Sequence, residues 1–81
     1  MTLSSKASER LRRTCVRAIM VLEDTHEPVM RGQRPGADPK TYRRIAQQLR
    51  LSAQALIAAA DEVSRTLDQA GIAGSKAQRR R

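Results

Sequence analysis

The stretch DPKTYRRIAQQLRLSAQALIAAADEVSRTLDQA, residues 38–70, decides the architecture. It opens on Asp38-Pro39, a helix start. A carboxylate accepts from the free N–H groups of the first turn, and proline suits the first helical position, where its missing N–H costs nothing. From there Tyr42, Ile45, Leu49, Leu56, Ala60, Val63 and Leu67 fall in one arc at 100° per residue. Gly71 then precedes Ile72, with Leu67 upstream, in the form of a Schellman stop. The spacing predicts a helix over 39–70, roughly 48 Å long at 1.5 Å per residue.

Outward from this stretch, residues 26–38 read HEPVMRGQRPGAD and hold two of the three prolines and two of the four glycines. That is turn chemistry, and it predicts a loop. Before it, residues 5–25 form a second periodic segment with Ser4 or Ser5 as N-cap. Ala7, Leu11, Cys15, Ala18, Ile19 and Leu22 share one side, while Lys6, Arg10, Arg13 and Arg17 line the opposite flank. A first helix of this length covers only part of the second, leaving Val63, Leu67 and Ala70 without an intrachain partner. After the second helix come residues 73–81, polar and basic with nothing to build a core. The expected division is a helical domain over 1–72 and a disordered basic tail over 73–81.

Charge fixes the relative direction of the two helices. Each is basic early and acidic late: Lys6 to Arg17 before Glu23, Asp24 and Glu27; Lys40, Arg43, Arg44 and Arg50 before Asp61, Glu62 and Asp68. This order opposes the helix macrodipole, so each helix alone is disfavoured. Side by side in antiparallel, the acidic end of one meets the basic start of the other. The fold class is therefore all-α, an antiparallel helical hairpin over residues 5–25 and 39–70. With 81 residues and a small core, it is expected to dimerise into a four-helix bundle. Leu56, Val63, Leu67 and Ile72 are the expected oligomer or partner interface.

A second reading breaks the long segment at residues 50–52. The string RRIAQQLRLSAQALIAAADEV, residues 43–63, resembles the helix-turn-helix of bacterial and phage transcriptional regulators. The resemblance implies that Ile45, Ala46, Leu49, Leu51, Leu56 and Ala59 pack the motif's core. It also implies that Ser52 begins a recognition helix whose base-reading side chain is Gln54. Leu51 separates the two readings: exposed in one continuous helix, buried in a helix-turn-helix.

Composition bounds the function. Sixteen Lys+Arg against eight Asp+Glu give a formal charge of +8, and the basic residues are mostly arginine, suited to an anionic partner. Aromatic content is 1%, which leaves almost nothing on which to stack unpaired bases, so duplex DNA is favoured over single strands. The candidate phosphate contacts are Lys6, Arg10, Arg13, Arg17, Arg43, Arg44 and the terminal Arg79, Arg80 and Arg81. Loop residues Arg31 and Arg34 and tail residue Lys76 add to the surplus.

Cys15 and His26 are each single, so neither an internal disulfide nor a Cys/His metal cluster is expected. Cys15 reads as a small core residue. There is no Walker or dinucleotide loop and no serine placed for a His–acid relay, so neither an enzyme nor a cofactor is expected. No secretory or membrane-spanning segment is legible, which predicts a cytoplasmic protein with no membrane partner. The Ala- and Arg-rich composition resembles that of GC-rich bacterial, plasmid or phage proteins. The leading expectation is a small non-enzymatic regulatory or accessory protein on duplex DNA, acting as a homodimer. The alternative is a phage- or plasmid-type helical inhibitor or adaptor that docks on a host protein.

Overall fold

The computed structural model describes residues 3–71, and these form two helices: α1, Ser5–Gly32, and α2, Pro39–Gln69. They pack antiparallel as a hairpin, and no strand occurs among the described residues. Ser4 caps α1, its hydroxyl accepting from the Ala7 N–H at 3.1 Å. Asp38 caps α2 as its sequence implies, accepting from the Thr41 N–H and hydroxyl, each at 2.9 Å. Gly71 ends α2 in the left-handed region, φ 80°, where a Cβ would be strained. Ile72 and the basic tail lie outside the described residues.

Those two hydrogen bonds from Thr41 hold the Asp38 carboxyl below its ordinary value of 3.8. A carboxylate depressed in the fold stabilises fully above its unfolded value, and the effect is lost as pH falls through the folded one. Asp38→Ala is expected to lower the thermal midpoint at neutral pH by a few degrees. Asp38→Asn, which can still cap, should keep most of the midpoint and blunt its decline on acidification. Circular-dichroism melts across pH check both.

Two sequence expectations need correction. The first helix does not stop near residue 25; it continues for seven more residues, through Pro28, to Gly32. Pro28 removes one backbone hydrogen bond, yet it sits half-buried on the side facing α2. The helix continues past it to bring Gly32 against Ile45 and Tyr42 of α2. Gly32 lets α2 approach so closely that a Cβ there would lie 2.7 Å from Ile45 Cδ1, and the Tyr42 hydroxyl donates to the Gly32 carbonyl at 3.2 Å. The true connection is residues 33–38, turned at Gly36 with φ 85°. The helices, of 28 and 31 residues, are therefore matched in length. The second correction follows from the register. Val63 and Leu67 are half-buried and Thr66 is buried, since the start of α1 covers them. The part of α2 that depends on the extension 26–32 is its beginning.

The α2 helix runs unbroken through residues 50–52, with Leu51 53% exposed, so the one-helix alternative describes this segment.

The contact between the helices mixes small and polar residues with half-buried aliphatic ones. Ala7, Thr14, Val21 and Pro28 recur every seven residues, as do Leu11, Ala18, Thr25 and Gly32; on α2 the matching row is Ile45, Ser52, Ala59 and Thr66. Thr14, Ser52 and Thr66 are the buried residues, and no apolar residue among those described is buried. At mid-length a polar relay crosses the seam. Gln48 Nε2 donates to Ser52 Oγ at 3.0 Å, Ser52 pairs with Thr25 Oγ1, and Thr25 Oγ1 donates to the Val21 carbonyl at 2.7 Å. The hairpin is one layer of helices, 53 Å long and 14 Å through its thinnest direction.

Candidate nucleic-acid interface and the uncovered apolar face

Two helices packed along their seam leave two broad faces, and the helical period assigns the flanks to them. On one face lie Leu11, Cys15, Ile19 and Leu22 of α1 beside Tyr42, Leu49, Leu56, Ala60 and Leu67 of α2. Ala46 and Ala53 fill the intervals, and no charged residue falls between these positions on the α2 flank. Ile19 is 53% exposed, Leu22 54%, Tyr42 48% and Leu49 46%. Leu56, Val63 and Leu67, expected at an interface, are half-buried along the inner edge of this face. Cys15 is a free, exposed thiol here rather than a core residue, because the seam turned toward Thr14 and Ala18.

The opposite face carries the cations. On α1 the row Arg10, Arg17, Asp24, Arg31 repeats every seven residues, flanked by Lys6 and Arg13; on α2 the row is Arg44, Leu51, Ala58, Arg65. A groove runs between the rows. Lys6 and Arg10 line its recess at one end, with Thr66 and Gln69; Arg31 and Arg44 line the recess at the other, with Thr41 and Gln48. Between them the floor is Ala18, Val21, Ala55, Ala58 and Ala59, with Arg17 at its side.

Of the predicted phosphate contacts, Lys6, Arg10, Arg13, Arg17 and Arg44 come together on this face. Arg43, one residue off, points along the outer edge of α2 and does not join them. Arg79, Arg80 and Arg81 lie outside the described residues. Sequence reasoning had left Arg31 in a loop and passed over Arg65; the seven-residue step from Arg10 and Arg17 was the signal for Arg31.

The expected pairing of helix ends by charge forms no close ion pair between the helices among the described residues; it acts only at a distance, from Arg10 and Arg17 on Glu62. The close ion pairs Arg12–Glu9 at 2.7 Å, Arg13–Glu9 at 3.2 Å, Arg31–Glu27 at 3.2 Å and Arg65–Glu62 at 2.9 Å each lie within one helix. Across the groove, Arg10 donates to Gln69 Oε1 at 3.3 Å. The hydrogen bond and charge of Arg65 hold the Glu62 carboxyl below its ordinary range, and the charges of Arg10 and Arg17 add to the effect. These pairs are exposed, and such pairs are worth little, so the arginines are free to exchange them for a stronger anion.

The fold and this surface define a two-faced helical hairpin, cationic on one side and largely apolar on the other, where Arg12 and His26 stand in the row of Ile19. Against known protein families, curated proteins and solved structures, the chain has no match. Among the described residues no cluster of His, Cys, Asp and Glu could hold a metal ion, and no helix is long and apolar enough to cross a membrane.

Proposed function

We propose that the protein is a dimeric helical-bundle accessory protein that binds duplex DNA through arginine–phosphate contacts on its cationic face. One observation carries the DNA part. The two cation pairs stand at opposite ends of one groove, with Arg31 21 and 25 residues after Arg10 and Lys6. At about 1.5 Å per residue that is about 32–38 Å. Phosphates on one strand of a duplex return to the same side after about 34–36 Å. A hairpin lying along the duplex axis thus meets the backbone at both ends. The near absence of aromatic rings and the alanine floor offer no stacking platform for unpaired bases.

Dimerisation rests on the other face. A stable domain needs two packed layers, and this hairpin is one layer with no buried apolar side chain among the described residues. Tyr42, Leu49, Leu56 and Val63 repeat every seven residues, and alanines between them allow close helix approach. That is the pattern of a helix-on-helix contact, and a second copy supplies the same pattern.

The test is fluorescence anisotropy on a random-sequence duplex. Binding is expected at low salt and should weaken steeply as salt rises. Replacing Arg10 and Arg44 by Ala should reduce the slope of log K against log salt by about 0.9 per lost contact. Absence of binding in low salt, or affinity indifferent to salt, would overturn the reading. The same uncovered face favours a second reading, an adaptor docked on a different protein. A chain that stays monomeric at high concentration would favour that one.

A further inference from the structure

We infer that each dimer holds two DNA duplexes at once, one on each side, and so acts as a bridge between segments. This rests on the function proposed above. The argument is geometric. The cationic row Arg10, Arg17, Arg31 and the apolar row Cys15, Leu22, Val29 lie on opposite flanks of α1, and α2 repeats the division with Arg44 and Arg65 against Leu49 and Leu56. When two hairpins stack through their apolar faces, both cationic faces point outward, away from each other. This holds whichever way the second hairpin runs, because only the sidedness matters. Helix layers pack about 8–10 Å apart, so the two cationic faces stand about 20 Å apart across the bundle. A straight duplex seated in one groove cannot reach the other.

The edges of the bundle offer no alternative joint surface. Along the outer edge of α1, Glu9 is followed by Glu23 and Glu27; along that of α2, Arg43 and Arg50 are followed by Asp61 and Asp68. On each broad face Lys6, Arg10, Arg13, Arg17, Arg31, Arg44 and Arg65 outnumber the acids Asp24 and Glu62, so the cationic surplus lies there. A dimer that read one operator would instead place both recognition surfaces on the same side, one duplex turn apart. This arrangement excludes that use and favours joining two segments.

The experiment immobilises one duplex on beads and measures capture of a second, labelled duplex from solution, with anisotropy recording binding in parallel. Wild type should capture the second duplex, and capture should vanish at the salt that abolishes binding. A variant with Lys6, Arg10, Arg31 and Arg44 all changed to Glu keeps the apolar face and should neither bind nor capture. Mixed equally with wild type and allowed to exchange, it should leave about three quarters of dimers able to bind but only about one quarter able to bridge, since bridging needs two competent copies. Capture should therefore fall well below binding. Full binding by wild type with no capture would overturn the bridge and leave the DNA reading standing. Capture that falls only in proportion to binding would also overturn it. No binding in anisotropy would remove the DNA reading and the bridge together.

Discussion

Leu22→Glu with Leu49→Glu is expected to abolish the proposed dimer, whereas Leu51→Glu should leave it intact. In the single hairpin these leucines are nearly equivalent: Leu22 is 54% exposed, Leu49 46% and Leu51 53%. Exposure alone would rate all three as equally tolerant. The difference lies in the face. Leu22 and Leu49 sit on the apolar side, Leu51 on the cationic side. In a symmetric dimer each substitution appears twice, so four carboxylates would enter one apolar contact, each with a desolvation cost of several kcal/mol. Weakening of at least about 1000-fold, or about 4 kcal/mol, is the expected scale. Sedimentation or light scattering reads the mass. The Cys15 thiol gives a second readout: slow to react with a thiol reagent in the wild-type dimer, fast in the double variant. A dimer that survives Leu22→Glu/Leu49→Glu but is lost with Leu51→Glu would put the contact on the wrong face.

Pro28→Ala is expected to stabilise the protein. Proline inside a helix deletes one backbone hydrogen bond and crowds the preceding turn, at about 3 kcal/mol in an unconstrained helix. Its rigidity in the unfolded chain returns about 0.4–1 kcal/mol, and its half-buried ring contributes some packing, so a net gain of about 1–2 kcal/mol is expected. For a chain this small, each kcal/mol moves the midpoint by about 4–8 °C. Thermal melts at fixed protein concentration measure it. A lower midpoint would mean that α1 in solution ends before residue 28, as turn chemistry alone implied.

That last point marks where sequence and structure part. Helix starts and stops made by side chains were legible: Ser4, Asp38-Pro39 and Gly71 each act within a few residues of themselves, so local reading suffices. The run from His26 to Gly32 was not legible. Pro28 and Gly32 are local breakers, and only contact with Tyr42 and Ile45, on the other helix, reverses their meaning. The seam was hidden for another reason. The apolar arc on α2 is wider than one partner helix can cover. Periodicity finds the centre of that arc but not how it is shared. Hydroxyl-bearing residues, Thr14, Thr25, Ser52 and Thr66, took the centre of the intrachain contact; Leu11, Val21, Ile45, Leu56, Val63 and Leu67 share it half-buried, while Ile19, Leu22, Tyr42 and Leu49 were left exposed. The cationic face was half legible. Lys6, Arg10, Arg13 and Arg17 share a helix and a flank, so their grouping follows from spacing; Arg44 joins them only through the antiparallel register, and Arg43 fails to by one 100° step.

The hydroxyl-lined seam has a consequence for the life of the chain in a cell. The fully buried residues carry hydroxyls and the aliphatic ones beside them are only half-buried, so closing a solitary hairpin removes limited oil-like surface from water. In the proposed dimer, persistence would then depend on abundance, since pairing would shelter chains that open and meet proteases when alone. Such a protein would accumulate sharply rather than in proportion to its synthesis.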